Sequence, residues 1–196
     1  MSIWTSKAQG AALIWLLAGC QMELGGFAAP GQAKVISVLH GAMTVAAPSG
    51  YCVDTQSARQ LVDGAVVLMG RCSDGSSHAA AVISVTIGEA GSASVVADGG
   101  VALAAYFQTS AGRAALSRTG SADSVKIAQA ANSNGAFTLR IVEAGVGDYW
   151  RAILGLSGRL VTLSVQGPTG STLDPATGRS LLGESLAAMQ NANSLR

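Results

Sequence analysis

Charge is scarce in this chain. Only 12% of its 196 residues are Asp, Glu, Lys or Arg, about half the share in an average globular protein. The formal net charge of +1 gives neither the basic footprint of a nucleic-acid binder nor the acidic bias of a solvating tail, so no nucleic-acid partner is expected. Histidine is scarcer still. With His40 and His78 as the full complement of two, a three-histidine zinc site is excluded, and so is the His-Glu-x-x-His arrangement. Local signatures for nucleophiles and phosphate loops are missing as well: there is no Gly-x-Ser-x-Gly elbow, no Ser-x-x-Lys and no P-loop. No sustained long-period repeat is present, which argues against solenoids and propellers. The apolar run near the N-terminus, Ala11 to Ala18, is too short to span a bilayer, which takes about 20 residues.

What is present fits one domain. Hydrophobic residues make up 49% of the chain, enough for a sizeable core at this length. Glycine is plentiful, at 25 residues. The surface is polar but weakly charged.

The first residues, MSIWTSKAQGAALIWLLAGC, place a positive charge at Lys7 before a short apolar run and end on Leu17-Ala18-Gly19-Cys20. This is the layout of a secretory signal. Its end resembles the lipobox of bacterial lipoproteins. In that family the small residues before the cysteine admit the signal peptidase to the backbone, and the thiol receives a diacylglyceryl group before cleavage. The resemblance implies a signal peptide over residues 1–19 and lipidation at Cys20. An ordinary signal peptide with an incidental cysteine is the competing reading; the length of the apolar run and the four box positions together favour lipidation. Stable anchoring takes more than one acyl chain, at about 0.8 kcal/mol per buried methylene, and diacylglycerol with an N-acyl chain meets that need. Gln21 follows where the enterobacterial rule for inner-membrane retention asks for Asp, so the resemblance implies an outer-membrane protein facing the periplasm, with the membrane and an envelope protein as its partners.

Lys7 is the only charge in residues 1–19, so the mature body is neutral. Residues 20–34, including QMELGGFAAPGQ, show neither helical nor strand periodicity and read as a tether. A single domain is expected over 35–196. With Cys20 acylated, Cys52 and Cys72 form an even pair in an oxidising compartment, and a disulfide between them is expected. The alternative, a redox or metal pair, lacks a Cys-x-x-Cys and a histidine cluster.

Ala42–Ala47, Gly64–Gly70 and Ala80–Ile87 are rich in β-formers and read as strands of one sheet. Over Val101–Arg118 the period changes: Leu103, Phe107, Ala111 and Ala114 recur at helical spacing, with Asp98 as cap, Gly120 as stop and Gly112 as a point of kinking or splitting. Two hairpins follow. Asn134-Gly135, a strong signal for a two-residue loop, aligns Ala128 with Ile141, Ala130 with Leu139, Asn132 with Phe137, Gln129 with Arg140 and Lys126 with Glu143. Ser157-Gly158 aligns Leu154 with Val161, Ala152 with Leu163 and Trp150 with Val165 on one apolar face. That patterning suits a sheet covered mainly on one side. Asp174-Pro175 begins a C-terminal amphipathic helix with Leu182, Leu186 and Met189 at 3.6-residue spacing, expected to close over the apolar face.

The fold class is therefore α+β, an antiparallel meander of hairpins packed against helices. Over roughly residues 40–193 this order of elements resembles the PsbP-like fold, known from an extrinsic subunit of photosystem II and from small bacterial lipoproteins, whose members are mostly accessory, assembly or binding proteins. The expected role is a noncatalytic, lipid-anchored accessory or interaction protein with no cofactor and no metal. The alternative is a tethered enzyme or small-ligand carrier with a pocket between sheet and helix. A triad of His78 with Asp54 or Asp74 belongs to that alternative, as does a pocket gathering His78 or Arg151, or one lined by Tyr106, Tyr149 and Trp150. Tyr149-Trp150-Arg151 could serve recognition, but a tryptophan at an inward position is more often core.

Overall fold

The structure, a computed structural model, describes residues 31–73 and 77–194. The lipobox, Cys20, the 1–19 segment and Asp74 lie outside the described residues.

Thirteen elements follow in chain order. Strands β1 (Gln32–Ala33), β2 (Val35–Val38), β3 (Met43–Ala46), β4 (Tyr51–Gln60), β5 (Ala65–Arg71) and β6 (Val82–Ala90) come first. Helices α1 (Val101–Gln108) and α2 (Ser110–Leu116) follow. Then come β7 (Val125–Ser133), β8 (Ala136–Glu143), β9 (Gly147–Leu156) and β10 (Arg159–Gln166), and last α3 (Pro175–Asn193). The fold is α+β, dominated by one antiparallel sheet of eight strands in the order β1-β4-β5-β6-β10-β9-β8-β7. Strands β2 and β3 pair with each other in a separate two-stranded sheet. The expectation that Ala42–Ala47 belongs to the main sheet is thereby corrected. Pairing starts at Gln32 and Ala33, opposite Asp54 and Val53, ahead of the boundary at residue 34. No helix of the described residues is long and apolar enough to cross a membrane.

Alternation along the central strands builds the main core. Val67 and Met69 of β5, Ile83, Val85 and Ile87 of β6, Val161, Leu163 and Val165 of β10, and Trp150, Ala152 and Leu154 of β9 share one face and are buried. Helix α3 lies on that face with Leu181, Leu182, Leu186 and Met189 turned inward. Burying a side chain of this size stabilises by about 1.5–3 kcal/mol. The Asp174 carboxylate accepts from the Thr177 backbone N–H at 2.9 Å, which starts α3 as expected. The last turn is tied to β3 by Asn193, whose Nδ2 donates to the Thr44 carbonyl at 2.8 Å while its Oδ1 accepts from the Thr44 N–H at 3.0 Å.

Coverage of one face alone does not hold. Phe137, Leu139 and Ile141 of β8, with Tyr149 and Ile153 of β9, point away from α3 and form a second core with Leu103, Phe107 and Leu116 of α1 and α2. Both faces of β9 are covered. The apolar periodicity of 101–118 supplies this second layer, but as two helices. The break is at Thr109, with φ −78° and ψ 159°, and its Oγ1 accepts from the Gly112 N–H at 3.0 Å to cap α2. Gly112 allows the two helices to meet so closely, since a Cβ there would stand 2.1 Å from the Tyr106 carbonyl oxygen. The N-cap of α1 is Gly100, in the left-handed region, rather than Asp98, whose carboxylate still reaches the first turn by accepting from the Ala102 N–H at 2.8 Å.

The β9–β10 hairpin has the expected register throughout. The β7–β8 hairpin keeps it only near its turn. Gln129↔Arg140, Ala130↔Leu139 and Asn132↔Phe137 pair as expected, but an irregularity between Ile127 and Gln129 realigns the rest to Ile127↔Ile141 and Val125↔Glu143. The pairings Ala128 with Ile141 and Lys126 with Glu143 are both overturned. Glu143 is buried instead. Its carboxylate accepts from the Arg118 N–H at 2.6 Å, the Ser117 hydroxyl at 3.2 Å and the Tyr149 hydroxyl at 3.2 Å, which locks the segment after α2 onto the sheet.

Candidate functional site

Among the described residues, those singled out for chemistry fall in different parts of the fold. Cys52 and Cys72 form a disulfide joining β4 to the end of β5, with Cα atoms 4.9 Å apart. Lys34 Nζ donates to the Tyr51 carbonyl at 2.7 Å and to Cys72 Sγ at 3.1 Å. The Tyr51 hydroxyl donates to the Ala79 carbonyl at 2.7 Å, and the His78 ring meets Tyr51 edge-on at 5.9 Å. Burial, chiefly, raises the Tyr51 pKa. Asp54 is occupied by its own turn, accepting from Gln56 N–H at 3.0 Å and Ser57 N–H at 3.3 Å. No hydrogen bond joins it to His78 among the described residues. His40 is exposed in the short turn Leu39–Gly41. No group of three His, Cys, Asp or Glu that could hold a metal occurs among the described residues.

The aromatic candidates are separated by the pleat. Tyr149 is buried in the second core, where its hydroxyl donates to the Leu116 carbonyl at 3.1 Å; desolvation pushes its pKa up to about 12. Trp150 lies on the opposite face in the main core and donates from Nε1 to the Pro175 carbonyl at 2.9 Å. Both serve packing, and Tyr106 is exposed. Arg151 stands 5.5 Å from the Tyr149 ring centre and donates from Nε to the Ser164 hydroxyl at 3.0 Å.

One concave surface, of about 370 Å³, lies beside the disulfide, lined by Gln32, Cys52, Asp54, Gln56 and Arg71; two others lie at the β7 edge. A groove of about 590 Å³ runs between the 3₁₀ turn Ser92–Val96 with the start of α1 and the tips of the two hairpins; Val96, Phe137 and Ile153 supply its apolar lining, Asn132, Ser133, Asn134 and Ser157 its polar side chains. Among the described residues no ionisable side chain lines it. A second groove of about 200 Å³ lies across the sheet under α3, lined by Gln129, Ala131, Trp150 and Leu186, with the Arg179 guanidinium 6.0 Å from the Trp150 ring centre. The two grooves flank the same five residues of β7, Gln129 to Ser133.

That stretch is an open edge. Among the described residues β7 is the terminal strand of the sheet and pairs with β8 alone. Asn134 and Gly135, at φ +52° and +73°, make a two-residue turn with both central residues in the left-handed region. In such a hairpin the flanking pair, here Ser133 and Ala136, exchanges both backbone hydrogen bonds, and pairs alternate from there. The N–H and C=O of Ala130 and Asn132 therefore point away from β8. All of Ala128 to Ser133 is exposed.

Sequence reasoning located the Asn134-Gly135 turn but not the edge. A signal was available in β7 itself: past Ile127 it carries only Ala, Gln, Asn and Ser, small or polar on both faces, unlike every strand in the sheet's centre.

The chain matches no protein-family model and no curated protein. Among solved structures it is similar to a mutant of protein Mog1, at 13% identity over 81% of this chain and 93% of that chain, with a TM-score of 0.43.

Proposed function

We propose that this chain is a lipid-anchored envelope protein that works by binding rather than by catalysis: residues 1–19 direct export, acylated Cys20 holds it at the outer membrane on the periplasmic side, and the folded body engages an envelope protein. The observation that carries the binding reading is the 590 Å³ groove at the β7 edge, whose lining offers hydrogen-bonding groups and apolar surface but no acid, base or activated nucleophile. The Cys52–Cys72 disulfide supports export, because such bonds persist in oxidising compartments. The pocket between sheet and α3, at about 200 Å³, falls below the usual 300–1,000 Å³ of small-ligand sites, whereas the groove at the β7 edge falls within that range. Kinship with the PsbP-like fold is part of this proposal. It is supported by the order of short strands, paired hairpins and closing helix.

The test is intact mass and membrane fractionation of the wild type beside Cys20→Ser in a Gram-negative host. A membrane-bound wild type carrying acyl mass, with an unlipidated variant, is the expected result. A soluble, unacylated wild type overturns the anchoring.

A further inference from the structure

We infer that the β7 edge is a strand-addition site: an extended segment of a partner protein pairs with Ala130 and Asn132 and sends alternate side chains into the two flanking grooves. This rests on the reading of the chain as a binding protein and names the chemistry of what it binds.

The backbone carries the first part of the argument. Ala130 and Asn132 aim two N–H and two C=O groups outward in a strand with no neighbour on that side among the described residues, and another extended backbone matches that repeat. Among the described residues the opposite edge of the sheet offers a shorter, interrupted template. There β1 covers the start of β4 at Asp54 and Val53, and the β4–β5 ladder is interrupted between Asp54 and Arg59.

The grooves identify the side chains. Successive residues of an added strand alternate between faces, so one set enters the 590 Å³ groove over Phe137 and Ile153 and the other enters the groove beneath α3. A second copy of this chain pairing antiparallel through β7 would offer the large groove only Ala130 and Asn132, one too small to fill it and the other polar over an apolar floor. A partner segment with bulky apolar residues at every second position fills it. On the α3 side, Arg179 has the Trp150 ring as neighbour and no carboxylate within ion-pair distance among the described residues, so an acidic residue on that side of the segment is complementary. The irregularity beside Ala128 and the exposed Lys126 end the template at Gln129. The site therefore reads about five residues.

The probe is a displayed library of eight-residue peptides selected on the purified full chain, with enriched peptides then synthesised. Their affinities are measured for the wild type and for Ala130→Pro, which removes an outward N–H and leaves the β7–β8 bonds in place. Backbone amide exchange of the wild type is followed in parallel. The expected peptides carry bulky apolar residues at alternate positions, bind Ala130→Pro at least tenfold more weakly, and slow exchange at Ala130 and Asn132 at least tenfold while leaving Ala131 unchanged. The inference is overturned by the absence of enrichment, or by binding that leaves exchange at Ala130 and Asn132 unaltered. It is also overturned if those amides become protected with rising protein concentration alone, which identifies a second copy as the occupant. Should Ala130→Pro fail to fold, the wild-type exchange decides. Failure here beside an acylated Cys20 removes the strand-addition site and leaves the anchoring reading standing; the reverse pair of results removes the anchoring alone.

Discussion

At one end of the main sheet, β4 is shortened as a template: β1 pairs with its first half, Asp54 caps a bend within it, and a disulfide ties it to the end of β5. At the other end, β7 runs nine residues from Val125 to Ser133 with one irregularity and five consecutive residues left open. Edge strands invite unwanted pairing, and proteins blunt them with short strands, bulges and charge. Here one edge is blunted in that way and the other only at its Lys126 end. The difference teaches that the open stretch is bounded rather than merely unprotected: it ends at the irregularity, and it is the stretch that the two grooves flank.

The comparison can be broken or sharpened by substitution. Leu163 on β10 is wholly buried between strands paired on both sides, so Leu163→Ala should cost about 2–5 kcal/mol, read as a lower urea midpoint at constant slope. Removing the disulfide with Cys52→Ser and Cys72→Ser should cost about 3 kcal/mol, the entropy of closing a loop of this size. Urea unfolding of the double variant measures it, and exchange at the β7 edge should be unaffected. Gly135→Ala and Gly158→Ala each put a side chain at φ +73° or +75° and should cost about 1–2 kcal/mol. The edge and central turns should respond alike, because the strain is local. By contrast Ala130→Pro, at the open edge, should cost about 1 kcal/mol or less; a loss as large as that of Leu163→Ala would show that β7 is held from both sides.

The smallest effect is in pH. Asp63, in the turn joining β4 to β5, has its carboxyl held below the ordinary 3.8, first by its hydrogen bond with Arg159 and then by the Ala90 N–H. Asp174 is lowered likewise by the Thr177 N–H and hydroxyl. The unfolded chain takes up these protons first on acidification. Their contribution is thus present above pH 3.8 and lost as pH falls through the lower folded values. Asp63→Asn should flatten part of that slope in acid titrations of the unfolding midpoint. Tyr149 acts at the other extreme: with its pKa raised from 10.0 to about 12, its contribution is intact below pH 10 and lost as pH rises through 12.

Much of this fold could be read from residue patterns. The β9–β10 register follows from Ser157-Gly158 and strict alternation, α3 from Asp174-Pro175 and the spacing of Leu182, Leu186 and Met189, and the disulfide from the even pair of cysteines. The misread parts share one feature: their outcome depends on a distant neighbour. Lys126 opposite Glu143 was a reasonable cross-strand pair, but Glu143 finds Arg118, Ser117 and Tyr149, which only the folded chain brings to it. The helical stretch over 101–118, expected to kink or split at Gly112, divides at Thr109 instead, where the hydroxyl caps α2 and Gly112 lets it turn back onto α1. The candidate site was the least legible part, since neither outward amides nor a groove between turns is a property of any one segment.

By itself the sequence determined the local elements: turns that need positive φ, strands that alternate with period two, helices that start at a capping side chain. These are short-range effects set by residues a few positions apart. Only the tertiary structure decided which strands stand at the edges, that both faces of β9 are covered, and that two grooves converge on Gln129 to Ser133. Those outcomes depend on which surfaces remain after every apolar face has found a partner, and that balance is struck over the whole chain.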